Sequence, residues 1–344
     1  MKIAIIGGSF DPIHYGHIQI AQTALEKIGC DKVWFLPSHD TPLKDRAQTL
    51  STHRIEMIQR AIQGYDQMEV CTLEVERQGV SYTLDTLQEL KKMYPMDEFC
   101  WIIGNDQLVQ FDQWKQPEKL VQLAHFVCVD RDGQLAKTKY DIKRIHMEPV
   151  PVSSSEIRKG NKLNYLDPSV LEYIYQQELY IQQFVQSRVN EHRYKHSLSV
   201  ANLCKEMAQA NGLDGHKAYI AGLFHDIAKS MSKEEMEPWM DSVCPENKKY
   251  ALPVWHGFVG SEILKRIFYI EDNQILEAVY HHVLGTSTDP YAMIVYCADK
   301  TDPTRDYDSS EMIQACKENI EQGFYWVKEE NEKYLKKANY IKIK

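Results

Sequence analysis

The sequence predicts two domains of different class, an α/β parallel-sheet domain followed by an all-α domain. Three observations carry this. Strand-like and helix-like segments alternate through the first half, helix-like segments alone follow from about residue 182, and 344 residues exceed the size of one typical domain. The apolar runs Lys2–Ile6, Lys32–Leu36, Glu69–Cys71, Phe99–Ile103 and His125–Val129 read as strands. Between them, Ile18–Ile28, His53–Ile62 and Thr83–Lys92 carry helical patterns, so the strands should pair in parallel through right-handed crossovers. In the second half, Gln182–Gly212, Asp214–Ala228, Gly257–Phe268, Asp272–His282 and Tyr291–Lys300 read as helices. The boundary falls near Tyr180–Gln183, giving domains of 1–181 and 182–344. No Gly/Ser-rich or Pro-rich linker marks the join, and the basic stretch Lys336–Lys344 is expected to fray.

Composition narrows the function classes. A net charge of −9 argues against broad binding to nucleic acid or anionic membranes. No apolar stretch is long enough to span a bilayer, and the N-terminus reads as a strand rather than a signal peptide. The eight cysteines show no C-x-x-C or zinc-ribbon spacing and read as reduced core thiols of a cytoplasmic protein. Oligomeric state is not written in the sequence.

The stretch Gly7-Gly8-Ser9-Phe10-Asp11-Pro12-Ile13-His14-Tyr15-Gly16-His17 follows the first strand directly. A glycine turn lets backbone N–H groups approach phosphate oxygens, and a helix N-terminus adds partial positive charge. His14 and His17 are three apart, so at a helix start they can point toward one ligand. This is neither a Walker A loop nor G-x-G-x-x-G. In Val152-Ser153-Ser154-Ser155-Glu156-Ile157-Arg158, Ser153 and Glu156 have capping-box spacing, which places hydroxyls and Arg158 at a second helix start. Lys44 is a third cationic candidate.

These motifs resemble the nucleotidylyltransferase superfamily, with its early H-x-G-H and late I-S-S-T-x-I-R. Together with "SYTLDTL" (81–87), "WIIGND" (101–106), Trp114 and "EYIYQQELY" (172–180), residues 1 to about 181 look like bacterial nicotinate-nucleotide adenylyltransferase. Pro42-Leu43-Lys44 departs from the family's usual Pro-His-Lys. The resemblance implies a Rossmann-like domain in which His14 and His17 meet the transferring phosphoryl group. Lys44 and Arg158, helped by Ser154, hold the β- and γ-phosphates of ATP, with Mg²⁺ riding on the triphosphate. Gly7, Gly8, Ser9, Phe10, Gly104, Asp106 and Ser155 belong to the implied nucleotide site. Trp114 stacks on the pyridine of nicotinate mononucleotide, and backbone near Tyr82–Thr83 binds its carboxylate. Preference between nicotinate and nicotinamide mononucleotide stays open.

The helical half sets His196, His225-Asp226, His256, His281-His282 and Asp299 within or beside apolar helical sequence, where bare charge is costly. Imidazole with carboxylate suits iron, manganese or zinc better than magnesium alone. The order H…HD…D resembles the HD-domain metal-dependent phosphohydrolases. Residues about 183–310 look like the bacterial branch that splits symmetrical diadenosine tetraphosphate into two ADP. The resemblance implies an HD-type helical domain with His196, His225, Asp226 and Asp299 on one metal. Asp226 would bridge to a second metal held by His256 and His282, with His281 as the alternative to His282. Lys229 and Arg305 would neutralise phosphate. Val283-Leu284 and Asp302 depart from the family pattern. Other substrates for either domain, or a nucleotide sensor without turnover in the helical half, are the rival readings.

Overall fold

The computed structural model describes residues 1–39, 48–130, 137–305 and 307–337. The chain divides into two compact units, Met1–Leu179 and Tyr180–Lys344.

The first unit is built on a six-stranded sheet of β1 (Lys2–Gly8), β2 (Lys32–Pro37), β3 (Met68–Val70), β4 (Glu98–Gly104), β5 (His125–Asp130) and β6 (Lys143–His146). Every pairing is parallel and the order is β3-β2-β1-β4-β5-β6. The helices are α1 (Tyr15–Ile28), α2 (Ser51–Ala61), α3 (Leu73–Arg77), α4 (Thr83–Met93), α5 (Asn105–Val109), α6 (Pro117–Leu123), α7 (Ser154–Arg158) and α8 (Pro168–Gln176). Central strands buried on both faces need continuous apolar runs, as in Ile3-Ala4-Ile5-Ile6 of β1. The chain order reverses between β1 and β4, so the crevice beyond their carboxyl ends is the switch point where such sheets bind ligands. Gly7, Gly8 and Gly104 lie at those two strand ends.

Strand β6 has no counterpart in the expected elements. It is a four-residue edge strand in which Ile145 alone is buried, so its sequence carries no alternation to read.

The second unit is helical: α9 (Ile181–Arg188), α10 (Glu191–Ala210), α11 (Gly215–Phe224), α12 (Lys233–Val243), α13 (Trp255–Ile267), α14 (Asn273–His281), α15 (Pro290–Thr301), α16 (Ser310–Glu318) and α17 (Ile320–Lys337). Its described residues contain no strand. The helix expected over Gln182–Gly212 is two helices. Val189 is extended and Asn190 caps α10 by accepting from the Arg193 N–H at 2.9 Å, which restarts the chain in a new direction. The helix expected over Asp214–Ala228 stops at Phe224, and His225-Asp226 sit in the tight turn that follows. The close approach of α10 and α11 depends on Gly222, where a Cβ would lie 2.8 Å from Cys204 Sγ and 2.9 Å from the Ala201 Cα.

Candidate active sites

In the first unit, β1 delivers the glycine turn to the switch point and α1 begins just beyond it. His14 is the N-cap of α1. Its backbone N–H donates to His17 Nδ1 at 3.3 Å, and the two rings stack with centroids 3.9 Å apart. Accepting at Nδ1 places the His17 proton on Nε2, the atom that can donate to an anion. Gly16 must be small, because a Cβ there would stand 3.0 Å from His14 Nδ1.

Helix α7 packs against the same turn. Ser153 caps it by accepting from the Glu156 N–H at 3.2 Å. The Glu156 carboxylate accepts from Asn161 and Lys159 rather than completing the expected capping box. Ser154 Oγ donates to the Pro12 carbonyl at 2.8 Å and Arg158 donates to the Asp11 carbonyl at 2.6 Å. Both residues therefore brace the turn that carries the histidines. Ser155 is exposed, and Lys44 lies outside the described residues.

A cavity of about 340 Å³ opens beside this turn, lined among others by Gly7, Gly8, Ser9, Tyr82, Thr83 and Trp114. Trp114 is half-buried, its inner edge packed on Phe111. Lys115 stands 4.8 Å over the Tyr82 ring and pairs with Asp85 at 3.0 Å. The Phe10 side chain is not in the wall. It is buried with its ring against Phe35 and His17. Asp106 is exposed in the first turn of α5, its Oδ1 2.5 Å from where a Cβ on Gly104 would stand.

Sequence reasoning missed Glu74, a buried carboxylate in the wall of this cavity. It accepts from Thr86 Oγ1 at 2.7 Å, and Thr86 in turn accepts from Arg77. Burial raises its pKa, while hydrogen bonds from Thr86 and Ser81 pull the other way. A glutamate in the helical segment Leu73–Arg77 carries no signal of this placement.

In the second unit, α10, α13, α15 and the turns after α11 and α14 bring all six candidate ligands together. His196, His225 and Asp226 form one cluster, and Asp226, His256 and His282 form another, so Asp226 belongs to both. Asp226 Oδ1 lies 3.1 Å from His256 Nε2, 3.6 Å from His282 Nε2 and 3.7 Å from His225 Nε2. Asp299 Oδ1 lies 3.2 Å from His196 Nε2 and 3.8 Å from His225 Nε2. His281 is turned away, toward Glu277 and Thr286.

The second partners of these rings matter as much. The Nδ1 atoms of His225, His256 and His282 contact the carbonyls of Gly222, Pro253 and Val279 at 2.7, 2.8 and 2.6 Å. His196 Nδ1 contacts Asp302 Oδ2 at 2.6 Å. A carbonyl can only accept, so each of the three Nδ1 atoms carries the proton and each Nε2 offers a lone pair. His256 Nε2 and His282 Nε2 then face one another at 3.1 Å, an arrangement that a cation between them would relieve. His225 Nε2 is buried with no hydrogen-bond partner among the described residues. Burial lowers the His225 pKa to about 4 and also lowers those of His256 and His282, which keeps the imidazoles neutral and ligand-ready. Burial opposes charge on Asp226, but its carboxyl is held well below the usual carboxylate range, with the Lys229 ammonium beside it favouring the anion. The donor set fits a pair of divalent cations.

Lys229 Nζ sits 3.1 Å from His256 Nε2 and 3.5 Å from Asp226 Oδ1. Arg305 donates to Asp299 Oδ1 at 2.7 Å, and Arg193 reaches Asp226 Oδ2 at 3.5 Å. These cations line a cleft of about 1010 Å³ that opens from the cluster. Asp302, only a departure from pattern in the sequence, is fully buried behind His196 and also accepts from Ser199 and Thr304.

Residues 5–160 match the Cytidylyltransferase-like family and residues 193–304 match the HD domain family. A Mycoplasma pneumoniae protein named "Probable nicotinate-nucleotide adenylyltransferase/Ap4A hydrolase" is 31% identical over 307 residues, covering 88% of each chain. The chain belongs to the nicotinate-nucleotide adenylyltransferase/Ap4A hydrolase family. A Mycoplasma genitalium member of the same name is 29% identical over 338 residues, covering 94% of this chain and 95% of its own. A single-function "Probable nicotinate-nucleotide adenylyltransferase" from Shouchella clausii is 40% identical over 185 residues, covering 52% of this chain and 96% of its own. Within this two-domain family, the Rossmann-like nucleotidyltransferase domain precedes the HD domain, and the HD domain implies divalent metal binding. No helix among the described residues is long and apolar enough to cross a membrane.

Proposed function

We propose that the chain is a bifunctional cytoplasmic enzyme. The first unit transfers the adenylyl group of ATP to nicotinate mononucleotide, giving nicotinate adenine dinucleotide and pyrophosphate. The second hydrolyses Ap4A, diadenosine tetraphosphate, to two ADP. The free state of all eight cysteines supports the compartment.

For the first reaction, the carrying observation is the stacked His14–His17 pair at the end of β1. A phosphate oxygen of the mononucleotide attacks the α-phosphorus, the α–β bridging bond breaks, and pyrophosphate leaves. The nucleophile is already an anion, so the protein needs no strong base. Its task is positioning and stabilisation of developing charge. His17 Nε2–H donates to the transferring phosphoryl oxygens with His14 beside it, while Ser154 and Arg158 hold the turn rigid. Arg158 and Lys44 are the cations assigned to the β- and γ-phosphates, with Mg²⁺ on the triphosphate. The cavity between Tyr82–Thr83 and Trp114 takes the pyridine ring.

For the second reaction, the carrying observation is that Asp226 belongs to both ligand clusters. His196, His225, Asp226 and Asp299 would hold one divalent ion, and Asp226, His256 and His282 the other, with iron the first candidate and manganese or zinc next. When bound, such a pair supplies a nucleophilic hydroxide and a clamp on phosphoryl oxygens. The chain's own contribution is to fix four imidazoles by their Nδ1 partners and to line the cleft with Lys229, Arg193 and Arg305 against polyphosphate charge.

The test is a product assay on the purified full chain. One arm supplies ATP, Mg²⁺ and either nicotinate or nicotinamide mononucleotide. The other supplies diadenosine tetraphosphate with iron or manganese. His14→Ala should lose dinucleotide synthesis alone, and Asp226→Ala hydrolysis alone. Hydrolysis that survives Asp226→Ala would overturn the second half. Dinucleotide synthesis that survives His14→Ala would overturn the role given to the histidine pair.

A further inference from the structure

Arg54, on α2, is 1% exposed, and the reaction described above makes no use of it. Burying a guanidinium is costly unless its donors are met. Here three of them reach backbone carbonyls from three separate segments. Nε donates to Thr49 O at 2.9 Å, one terminal nitrogen to Ser9 O at 2.9 Å, and the other to Ser38 O at 2.8 Å. Ser9 belongs to the glycine turn and Ser38 to the segment leaving β2, and both line the 340 Å³ cavity. Arg54 therefore grips two pieces of the cavity wall from behind.

The grip has a directional consequence. In a trans peptide the C=O and the following N–H point to opposite sides. Drawing Ser38 O toward Arg54 turns the His39 N–H away from it, where it donates to Ser81 Oγ at 3.1 Å on the cavity side. Drawing Ser9 O toward Arg54 likewise turns the Phe10 N–H away from the guanidinium. Phe10 has φ of 48°, in the left-handed region that a bulky side chain rarely adopts, so this peptide needs external support to keep its orientation.

We propose that Arg54 is a positioning residue for nucleotide binding: by clamping the Ser9 and Ser38 carbonyls it presets the Phe10 amide as a donor to an oxygen of the ATP triphosphate. The inference rests on the adenylyl-transfer reading of the first unit. A planar fork is required, because a lysine at this position keeps the charge but cannot span three carbonyls in one plane.

The test uses the full chain with Arg54→Lys and Arg54→Met. Steady-state adenylyl transfer gives KM for ATP, KM for the mononucleotide, and kcat. Ap4A hydrolysis in the same preparation and thermal unfolding report the folded fraction. The expected result is a KM for ATP raised about tenfold or more in both variants, with KM for the mononucleotide changed less than about twofold. A merely structural role would lower the active fraction, and so kcat, without this split. Equal loss of both substrates' affinities, or an unchanged KM for ATP, overturns the proposal. If Arg54→Met does not fold, Arg54→Lys alone decides on the same criterion. If the native chain makes no dinucleotide, the adenylyl-transfer reading has failed separately. Calorimetric titration with a non-hydrolysable ATP analogue then judges Arg54, and native-like binding by Arg54→Lys counts against it.

Discussion

His17 has its tautomer set by a neighbour, since the His14 N–H occupies Nδ1 and leaves Nε2–H to donate. His17→Asn should therefore lower kcat for dinucleotide synthesis by about 10²–10³, with little change in either KM. A large rise in KM with kcat preserved would instead make His17 a ground-state binder. Asp302 plays a comparable part in the other unit. It fixes His196 from behind, and burial of its carboxylate is outweighed by hydrogen bonds from His196, Ser199 and Thr304, which keep its pKa at about 2. Asp302→Ala should weaken metal binding about 10–100-fold in chelator competition and leave dinucleotide synthesis intact. Unchanged affinity would mean that Asp302 only packs. His225 and Asp226 were legible from their sequence context. Asp302, Glu74 and Arg54 were not, because each acts through a partner distant in sequence.

At the scale of elements, α10 and α11 carry His196 and lead into His225, and they can approach only because residue 222 has no side chain. The Gly222 carbonyl also holds His225 Nδ1. Gly222→Ala forces these helices apart, so thermal unfolding of the second unit should show a loss of about 1–3 kcal/mol together with weaker metal retention. Stability lost without metal loss would separate packing from the site. In the first unit, Glu74 ties α3 to α4 through Thr86. Burial raises its folded pKa above the ordinary glutamate range. The contribution of its protonated form is complete below that range and is lost as pH rises through the raised folded value. Glu74→Gln cannot ionise, so its stability relative to the native chain should improve as pH rises across this window. A difference flat with pH would mean the carboxyl is not strained by burial. Strands β1, β2, β4 and β5 were readable as apolar runs because each is buried on both faces. Strand β6 and the break at Val189-Asn190 were not, since one buried residue and one cap are weaker signals than periodicity.

At the scale of the whole molecule, each unit holds its own charged site. Removing tightly held metal with a chelator, then restoring Mg²⁺ alone, should abolish Ap4A hydrolysis and lower the thermal stability of the second unit. Dinucleotide synthesis should return in full. Loss of both activities under this treatment would show that the first unit also depends on a resident transition metal. Stabilisation follows mass action, because an ion that binds only the folded state shifts unfolding by its occupancy.

The sequence by itself determined the two fold classes, the order of the domains, the glycine turn after the first strand and the six histidine and aspartate positions. Periodicity, glycine turns and motif spacing are local properties that a linear reading can measure. The tertiary structure alone decided that His282 rather than His281 faces the cluster, that Asp226 is shared, and that Ser154 and Arg158 brace the Asp11–Pro12 turn. It alone showed that Arg54 clamps the cavity wall. These depend on which way a side chain points once distant segments are packed together. Neighbouring histidines on a helical turn point about 100° apart, so packing, not spacing, selects the one that faces the cluster.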